Sequence, residues 1–78
     1  MIHCVITSPR ETVIYKDGQS VILPVPSGQT QVLPGHAESF MALSPGNIVL
    51  SQANGKSKII KAAGGECYIK DDSVLIIL

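Results

Sequence analysis

The sequence predicts an all-β domain built from two packed sheets. Its apolar runs are short, rich in valine and isoleucine, and closed every few residues by glycine, proline, asparagine or aspartate, and no stretch has the period of an amphipathic helix. We expect strands near residues 2–7, 12–16, 20–25, 31–34, 39–43, 47–52, 57–62, 66–70 and 73–78. Strands this short and this numerous favour a sandwich of two sheets around one core.

The length of 78 residues allows one domain, residues 1–78. A domain of this size buries only about 60% of its unfolded surface, so its stability depends on close packing. The only aromatic residues are Tyr15, Phe40 and Tyr68. We therefore expect a core of aliphatic side chains.

Three dipeptides predict how the strands connect. Asn54-Gly55 is the strongest signal for a two-residue hairpin turn, in which both central residues take positive φ. Asp71-Asp72 is expected to turn the last hairpin. Asp17-Gly18 fits either another hairpin turn or a bulge within one long strand over residues 12–25. We favour the bulge.

Alternation indicates which faces are buried. Val21, Leu23 and Val25 share one face of their strand and are core candidates. The last strand, SVLIIL (73–78), is apolar on both faces, so we expect it to be covered on both sides. A partner protein could supply one of these covers.

The ionisable residues give little material for chemistry. Six basic residues balance six acidic ones, which argues against nucleic acid as a partner. His3 and Cys4 are neighbours on a strand and point to opposite faces, so they cannot hold one metal ion together. We predict no catalytic residues, no metal site and no cofactor.

The two cysteines, Cys4 and Cys67, are too few for a secreted disulfide framework and favour a reducing compartment, with both thiols as small core residues. A disulfide between them also fits the sequence. The N-terminus lacks the pattern of a signal peptide, and no apolar run approaches the roughly 20 residues of a membrane helix. We predict no direct membrane insertion.

The stretch VLPGHA (32–37) places an unusual corner between two strands. Pro34 fixes φ and ends the strand ladder, and Gly35 supplies a conformation that other residues resist. His36 and Ala37 would then be presented from a rigid turn.

The chain resembles the N-terminal β-sandwich of the epsilon subunit of F-type ATP synthases over essentially all of its length. The signals occur in order: ITSP (6–9), SVILP (20–24), VLPGHA (32–37), a Pro-Gly pair at 45–46, the NG hairpin at 54–55 and AGGECYI (63–69). The resemblance implies a flattened sandwich of about ten short strands. It also implies a non-catalytic rotor subunit of a proton- or sodium-translocating ATP synthase, peripheral on the cytoplasmic face of the bacterial inner membrane.

The same resemblance implies two partners, the gamma subunit and the membrane-embedded ring of rotor subunits. The expected gamma-subunit interface consists of Pro34, Gly35, His36, Ala37, Phe40 and Met41. The expected rotor-ring interface lies in the turn at residues 26–30 and consists of Ser27, Gly28 and Gln29. For His36 there is an alternative, in which the ring only hydrogen-bonds nearby backbone as a turn residue.

The sequence departs from the family pattern at several positions. Gln29 and Gln31 replace the acidic and glycine character that is usual in the ring-facing loop, so hydrogen bonds and shape replace charge pairing there. Glu38 and Ser39 follow PGHA where the family often has Pro-Leu. The C-terminal helical hairpin of the family is missing, and a start at Met1 with a closing strand favours a natural short form over a truncation.

Two other classes of function remain as alternatives. A stand-alone β-sandwich that binds a peptide or carbohydrate would need a concave face with exposed aromatic side chains. A small hydrolase would need an acid, a base and a nucleophile that converge, and the sequence gives no sign of them.

Overall fold

The computed structural model describes all residues from 1 to 78 and consists of eight strands without a helix. The strands are β1 (Ile2–Thr7), β2 (Thr12–Val25), β3 (Gly28–Val32), β4 (Ser39–Leu43), β5 (Gly46–Gln52), β6 (Ser57–Ala62), β7 (Gly65–Lys70) and β8 (Ser73–Ile77). The prediction of an all-β sandwich is confirmed, and the strand number is close to the expected ten. The fold contains no helix with the length and apolar character needed to cross a membrane.

One sheet in the order β4-β7-β8-β1-β2-β5-β6 curls into two layers, with β3 paired to β2. All neighbours are antiparallel except β1 and β8, which run parallel. The first layer holds β4, β7, β8, β1 and the N-terminal part of β2, and the second holds β3, the C-terminal part of β2, β5 and β6. The domain measures 27 × 27 × 18 Å, as expected for a flattened sandwich.

The long strand β2 connects the two layers. Its register with β1 shifts between Tyr15 and Gly18, and its register with β5 shifts between Gly18 and Ser20. Gly18 is buried at this bulge, where a Cβ atom would lie 2.9 Å from the carbonyl oxygen of Ile2. The bulge prediction is therefore confirmed, and the strands expected at 12–16 and 20–25 are one.

The core between the layers is entirely apolar. Both cysteines are part of it, and no polar or charged side chain is buried. Val21 and Leu23 are fully buried as predicted, and Val25 packs at the margin. The buried hydrophobic core consists of Ile2, Cys4, Ile6, Val21, Leu23, Val32, Leu43, Ile48, Leu50, Ala62, Cys67, Ile69, Val74 and Ile76.

The Asn54-Gly55 hairpin differs from the prediction. Gly55 has φ +83° but Asn54 does not have positive φ. The amide of Gly55 donates to the carbonyl of Gln52, and the Asn54 side chain accepts from the amide of Lys56. The connection is a longer loop with glycine in the left-handed position, because the Asn54 side chain stabilises an ordinary turn ahead of the glycine.

The Asp71-Asp72 pair forms a two-residue hairpin turn between β7 and β8, as expected. Both residues have positive φ, 51° and 60°, and Lys70 and Ser73 pair directly across them. Aspartate tolerates this region better than most residues because its short side chain can hydrogen-bond nearby groups.

The third strand is also shifted from its expected position at 31–34. It runs from Gly28 to Val32, because a two-residue turn at Pro26-Ser27 lets residues 28–32 pair with 25–21 of β2. Leu33 and Pro34 lie outside it, in the following turn.

Candidate functional site

The PGHA segment forms a tight turn between β3 and β4. The amide of His36 donates to the carbonyl of Leu33 at 3.1 Å, which closes a four-residue turn with Pro34 and Gly35 at its centre. Gly35 has φ +84°. Proline followed by a glycine with positive φ is the signature of a type II turn. The tight turn predicted at Pro34 and Gly35 is confirmed.

A second segment of the chain holds this turn. The amide of Gly35, which the turn itself does not use, donates to Oδ1 of Asp72 at 2.7 Å. The carbonyl of Asp72 accepts in turn from the amide of His3 at 2.9 Å. The PGHA turn, the β7–β8 turn and the start of β1 are therefore tied together at one residue.

His36 is half-buried and engages local backbone. Its Nδ1 lies 2.8 Å from the carbonyl oxygen of Ala37, and since a carbonyl only accepts, Nδ1 carries the proton and donates. The hydroxyl of Ser39 donates to the same carbonyl at 2.9 Å. The backbone contact expected in the alternative view of His36 is present, and Nε2 remains available to another molecule.

Next to this turn, five apolar side chains form a continuous line across the outside of the first layer. The direct cross-strand pairs join Phe40 to Tyr68, Tyr68 to Leu75, Leu75 to Val5, and Val5 to Ile14. Phe40 is 59% exposed, Ile14 53%, Tyr68 42% and Leu75 37%. We call these five residues the outer apolar row. Outward-facing apolar residues normally occur singly on a monomer, so a line across five strands makes this face a candidate contact surface.

Tyr68 is the centre of the aromatic part of this row. A shallow depression of about 310 Å³ lies on the side of β4, lined by Phe40, Tyr68 and Lys70 among others, and one of about 330 Å³ lies on the side of β1, where Val5 and Leu75 contribute. The Tyr68 hydroxyl donates to Oε2 of Glu66 at 3.3 Å. Partial desolvation, the negative charge of Glu66 and this hydrogen bond raise the pKa of Tyr68.

Apart from the half-buried His36, the residues expected at the gamma interface differ in whether their side chains face outward or inward. Pro34, Gly35, Ala37 and Phe40 are exposed, as an interface requires. Met41 instead points inward, where it pairs with buried Cys67 and packs against the core. The reason is alternation along β4, which sends neighbouring side chains to opposite faces.

The residues expected at the rotor ring lie at the other end of β3. Ser27 belongs to the turn itself, whereas Gly28 and Gln29 begin β3, so the expected loop of residues 26–30 is shorter than predicted. All three are exposed, and Gly28 has φ +126°. At about 3.3 Å per residue, the length of β3 places this turn roughly 15–20 Å from the PGHA turn.

The opposite layer carries a smaller apolar strip. Ile22 pairs with Val49 and Val49 with Ile59, and Ile59 is 68% exposed. The domain therefore has two unequal apolar outer surfaces.

The two cysteines are free, buried thiols. Cys4 pairs with Val74 and Cys67 with Ile76, so strand β8 lies between them. Two strand spacings are about 9.5 Å, beyond the roughly 7 Å that a disulfide can bridge. Burial, together with the charge of Cys67, raises the pKa of Cys4 to about 12, and burial raises the pKa of Cys67 to about 11. Both thiols are therefore poor nucleophiles.

The side chains that commonly bind metal ions do not form a cluster in this fold. No group of three or more His, Cys, Asp or Glu residues comes together in a geometry that could hold a metal ion. His3 is exposed and Cys4 is buried, on opposite faces of β1 as predicted.

Sequence reasoning missed Tyr68, Leu75, Val5, Ile14 and Asp72. The exposure of Leu75 to a partner could have been inferred from SVLIIL, because that strand is apolar on both faces. Only one of those faces is covered by this chain, since Leu75 and Ile77 are each 37% exposed. The others could not be found from local pattern, because their neighbours come from distant parts of the chain.

These features define a small all-β sandwich domain with an apolar surface on each layer, the larger one beside the PGHA turn, and an exposed turn at each end of β3. The sequence matches the ATP synthase delta/epsilon chain β-sandwich domain over residues 1–78. The chain belongs to this family, which confirms the resemblance seen in its motifs.

Individual relatives agree with this assignment. The chain is 34% identical over 71 residues to the ATP synthase epsilon chain of Wolinella succinogenes, covering 91% of this chain and 53% of the relative. It is 34% identical over 73 residues to the epsilon chain of Prochlorococcus marinus strain MIT 9515, covering 94% and 54%. The chain thus spans about half the length of these relatives.

Solved structures share the fold. A chain of the Euglena gracilis mitochondrial ATP synthase, in a structure of OSCP, F1 and c-ring, superposes with a TM-score of 0.88 at 23% identity, over 97% of this chain and 49% of that chain. A chain of the Tetrahymena thermophila mitochondrial ATP synthase central stalk and c-ring gives 0.81 at 13% identity, over 97% and 61%. These TM-scores establish that the two chains share the fold of this domain, and at identities this low the comparison shows the fold alone.

Proposed function

We propose that this domain is a non-catalytic part of the central stalk of an F-type ATP synthase, where it links the gamma subunit to the membrane rotor ring. The observation that carries the proposal is the outer apolar row beside the PGHA turn, in a chain that belongs to the epsilon-type family. The solved structures that share the fold are an assembly of OSCP, F1 and c-ring and an assembly of central stalk and c-ring, which supports the same role here. The location would be peripheral to the membrane, on the cytoplasmic face in a bacterium.

The gamma-facing surface combines a rigid corner with an apolar sheet face. Pro34, Gly35, His36 and Ala37 supply the corner, and Phe40 leads into the outer apolar row. Met41 lies on the inner face of β4 and packs against the core, so it is not part of this surface. Five half-exposed apolar side chains would contribute roughly 5 kcal/mol if fully buried. Association costs at least that much, so the row alone gives weak binding and the corner must add specific contacts.

The ring-facing surface is the turn with Ser27, Gly28 and Gln29. These side chains are small or uncharged, so contact with the ring depends on hydrogen bonds and shape. The paired strands β2 and β3 support this turn, and a closely packed sandwich transmits force with little deformation. The domain would then keep gamma and the ring from slipping during ion-driven rotation. No ligand or cofactor enters this role.

Co-expression with the gamma subunit of the same organism, followed by size-exclusion chromatography, tests the proposal. We expect both chains in one peak. Separate elution of two folded proteins would overturn the gamma assignment and would favour the alternative of a stand-alone binding module. Binding of a short peptide or sugar in the depressions beside Tyr68 is then the measurement to make, by titration calorimetry.

A further inference from the structure

Asp72 connects two turns that are 37 residues apart in the sequence. Its Oδ1 accepts from the amide of Gly35 at 2.7 Å, a short bond with a charged acceptor. Within a type II turn the amide of the glycine has no partner of its own. Without Asp72 that amide would be left to solvent, and the PGHA turn would be attached to the sandwich only at its two ends.

The backbone of Asp72 is fixed by the two-residue turn and by the start of β1. Asp72 lies in the two-residue turn with φ +60°, and its carbonyl accepts from the amide of His3. The neighbouring Asp71 has φ +51° and is exposed, but its side chain makes no hydrogen bond. The two adjacent aspartates both have positive φ, but only the side chain of Asp72 accepts a hydrogen bond from Gly35.

We infer that Asp72 is a positioning residue that fixes the PGHA turn, and with it His36, in the orientation that binds the gamma subunit. The inference rests on the proposed function. The physical reason is preorganisation: a turn that is already ordered loses less conformational entropy on binding. Asp72 does not need to touch the partner to act in this way.

Three variants of the 78-residue chain test the inference. Asp72→Gly keeps a residue that accepts positive φ but removes the acceptor oxygen. Asp71→Gly makes the same backbone change without removing a hydrogen bond and is the matched control. Asp72→Asn keeps an Oδ1 acceptor and tolerates the same φ, so it should preserve the hydrogen bond to the amide of Gly35. Thermal unfolding of all three gives their relative stability.

The first measurement is hydrogen exchange of the Gly35 amide by NMR in the free domain. We expect at least roughly tenfold faster exchange in Asp72→Gly, and near wild-type rates in the other two variants. The second is affinity for the gamma subunit, which should fall about tenfold in Asp72→Gly, equivalent to about 1.4 kcal/mol, and change less than about twofold in the others.

Each other outcome has a definite meaning. Unchanged exchange in Asp72→Gly, or equal loss in Asp72→Asn, would overturn the role of the hydrogen bond. Faster exchange with unchanged affinity would overturn the positioning role and leave the proposed function intact. Failure of the wild-type domain to bind gamma would overturn the proposed function, and the positioning role would fall with it.

Discussion

The rings of Phe40 and Tyr68 lie with their centroids 4.8 Å apart and their planes inclined by 47°, on the outside of adjacent strands. A tilted aromatic pair at this distance is favourable beyond the area that it buries. The pair forms the end of the outer apolar row nearest the PGHA turn. A partner that sits on both surfaces must contact Phe40.

Replacement of Phe40 with alanine should weaken binding to gamma by roughly tenfold to a hundredfold, the range for a central aromatic residue in an interface. The fold should survive, since Phe40 is 59% exposed. Calorimetry with purified gamma gives the affinity. Ile59→Ala is the matched control, because it removes an exposed apolar side chain from the opposite layer. Equal affinities for wild type and Phe40→Ala would remove the row from the interface.

Gln29→Ala should reduce coupling in the assembled complex without preventing assembly. Gln29 is exposed beside the Pro26-Ser27 turn, and the substitution removes the side-chain amide that we propose as a hydrogen-bonding group toward the ring. The readout is ATP-driven ion pumping divided by ATP hydrolysis in reconstituted vesicles. Gln31→Ala, on the same face of β3 but two residues farther from the turn, should leave this ratio unchanged. Normal coupling in Gln29→Ala would leave the turn without a role at the ring.

Gly65→Ala should destabilise the domain by about 2–4 kcal/mol, because strain in φ adds to a steric clash. Gly65 has φ +148°, and a Cβ atom there would collide with the carbonyl oxygen of Ile77. Gly55→Ala should cost only about 1 kcal/mol. Its φ is +83°, but no atom lies within 4 Å of the added methyl group. Urea unfolding measures both, and equal costs would contradict the clash.

Stability should fall as the pH rises from about 9 to 11. Unfolded thiols lose protons near pH 9.0, whereas the pKa of Cys67 in the folded state is about 11 and that of Cys4 is about 12. The folded state therefore holds more protons in this window, and each thiol lowers the free energy of unfolding by up to about 1.4 kcal/mol per pH unit. Below pH 9 this effect vanishes.

The variant Cys67→Ala isolates that contribution. Its stability should decline less steeply between pH 9 and 11, because only one buried thiol, Cys4, remains. Parallel curves for wild type and variant would assign the decline to other groups. Urea midpoints at half-unit steps of pH supply the data.

The sequence by itself determined the class of fold and most of its elements. Short aliphatic runs with turn residues between them predicted the strands, and alternation placed Val21 and Leu23 in the core. The Asp17-Gly18 pair indicated the bulge, and Pro34-Gly35 indicated a tight corner. These features depend on neighbours in sequence, through φ preferences and the two-residue period of a strand. The order of the motifs was sufficient to identify the family.

Only the tertiary structure decided which surfaces those elements create. The outer apolar row joins residues 5, 14, 40, 68 and 75, and it exists because β7 and β8 lie between β4 and β1 in the sheet. Asp71 and Asp72 look equivalent in the sequence, yet only Asp72 meets Gly35. Strand order and register are set by burial of the whole core, a sum over distant contacts that no local pattern contains.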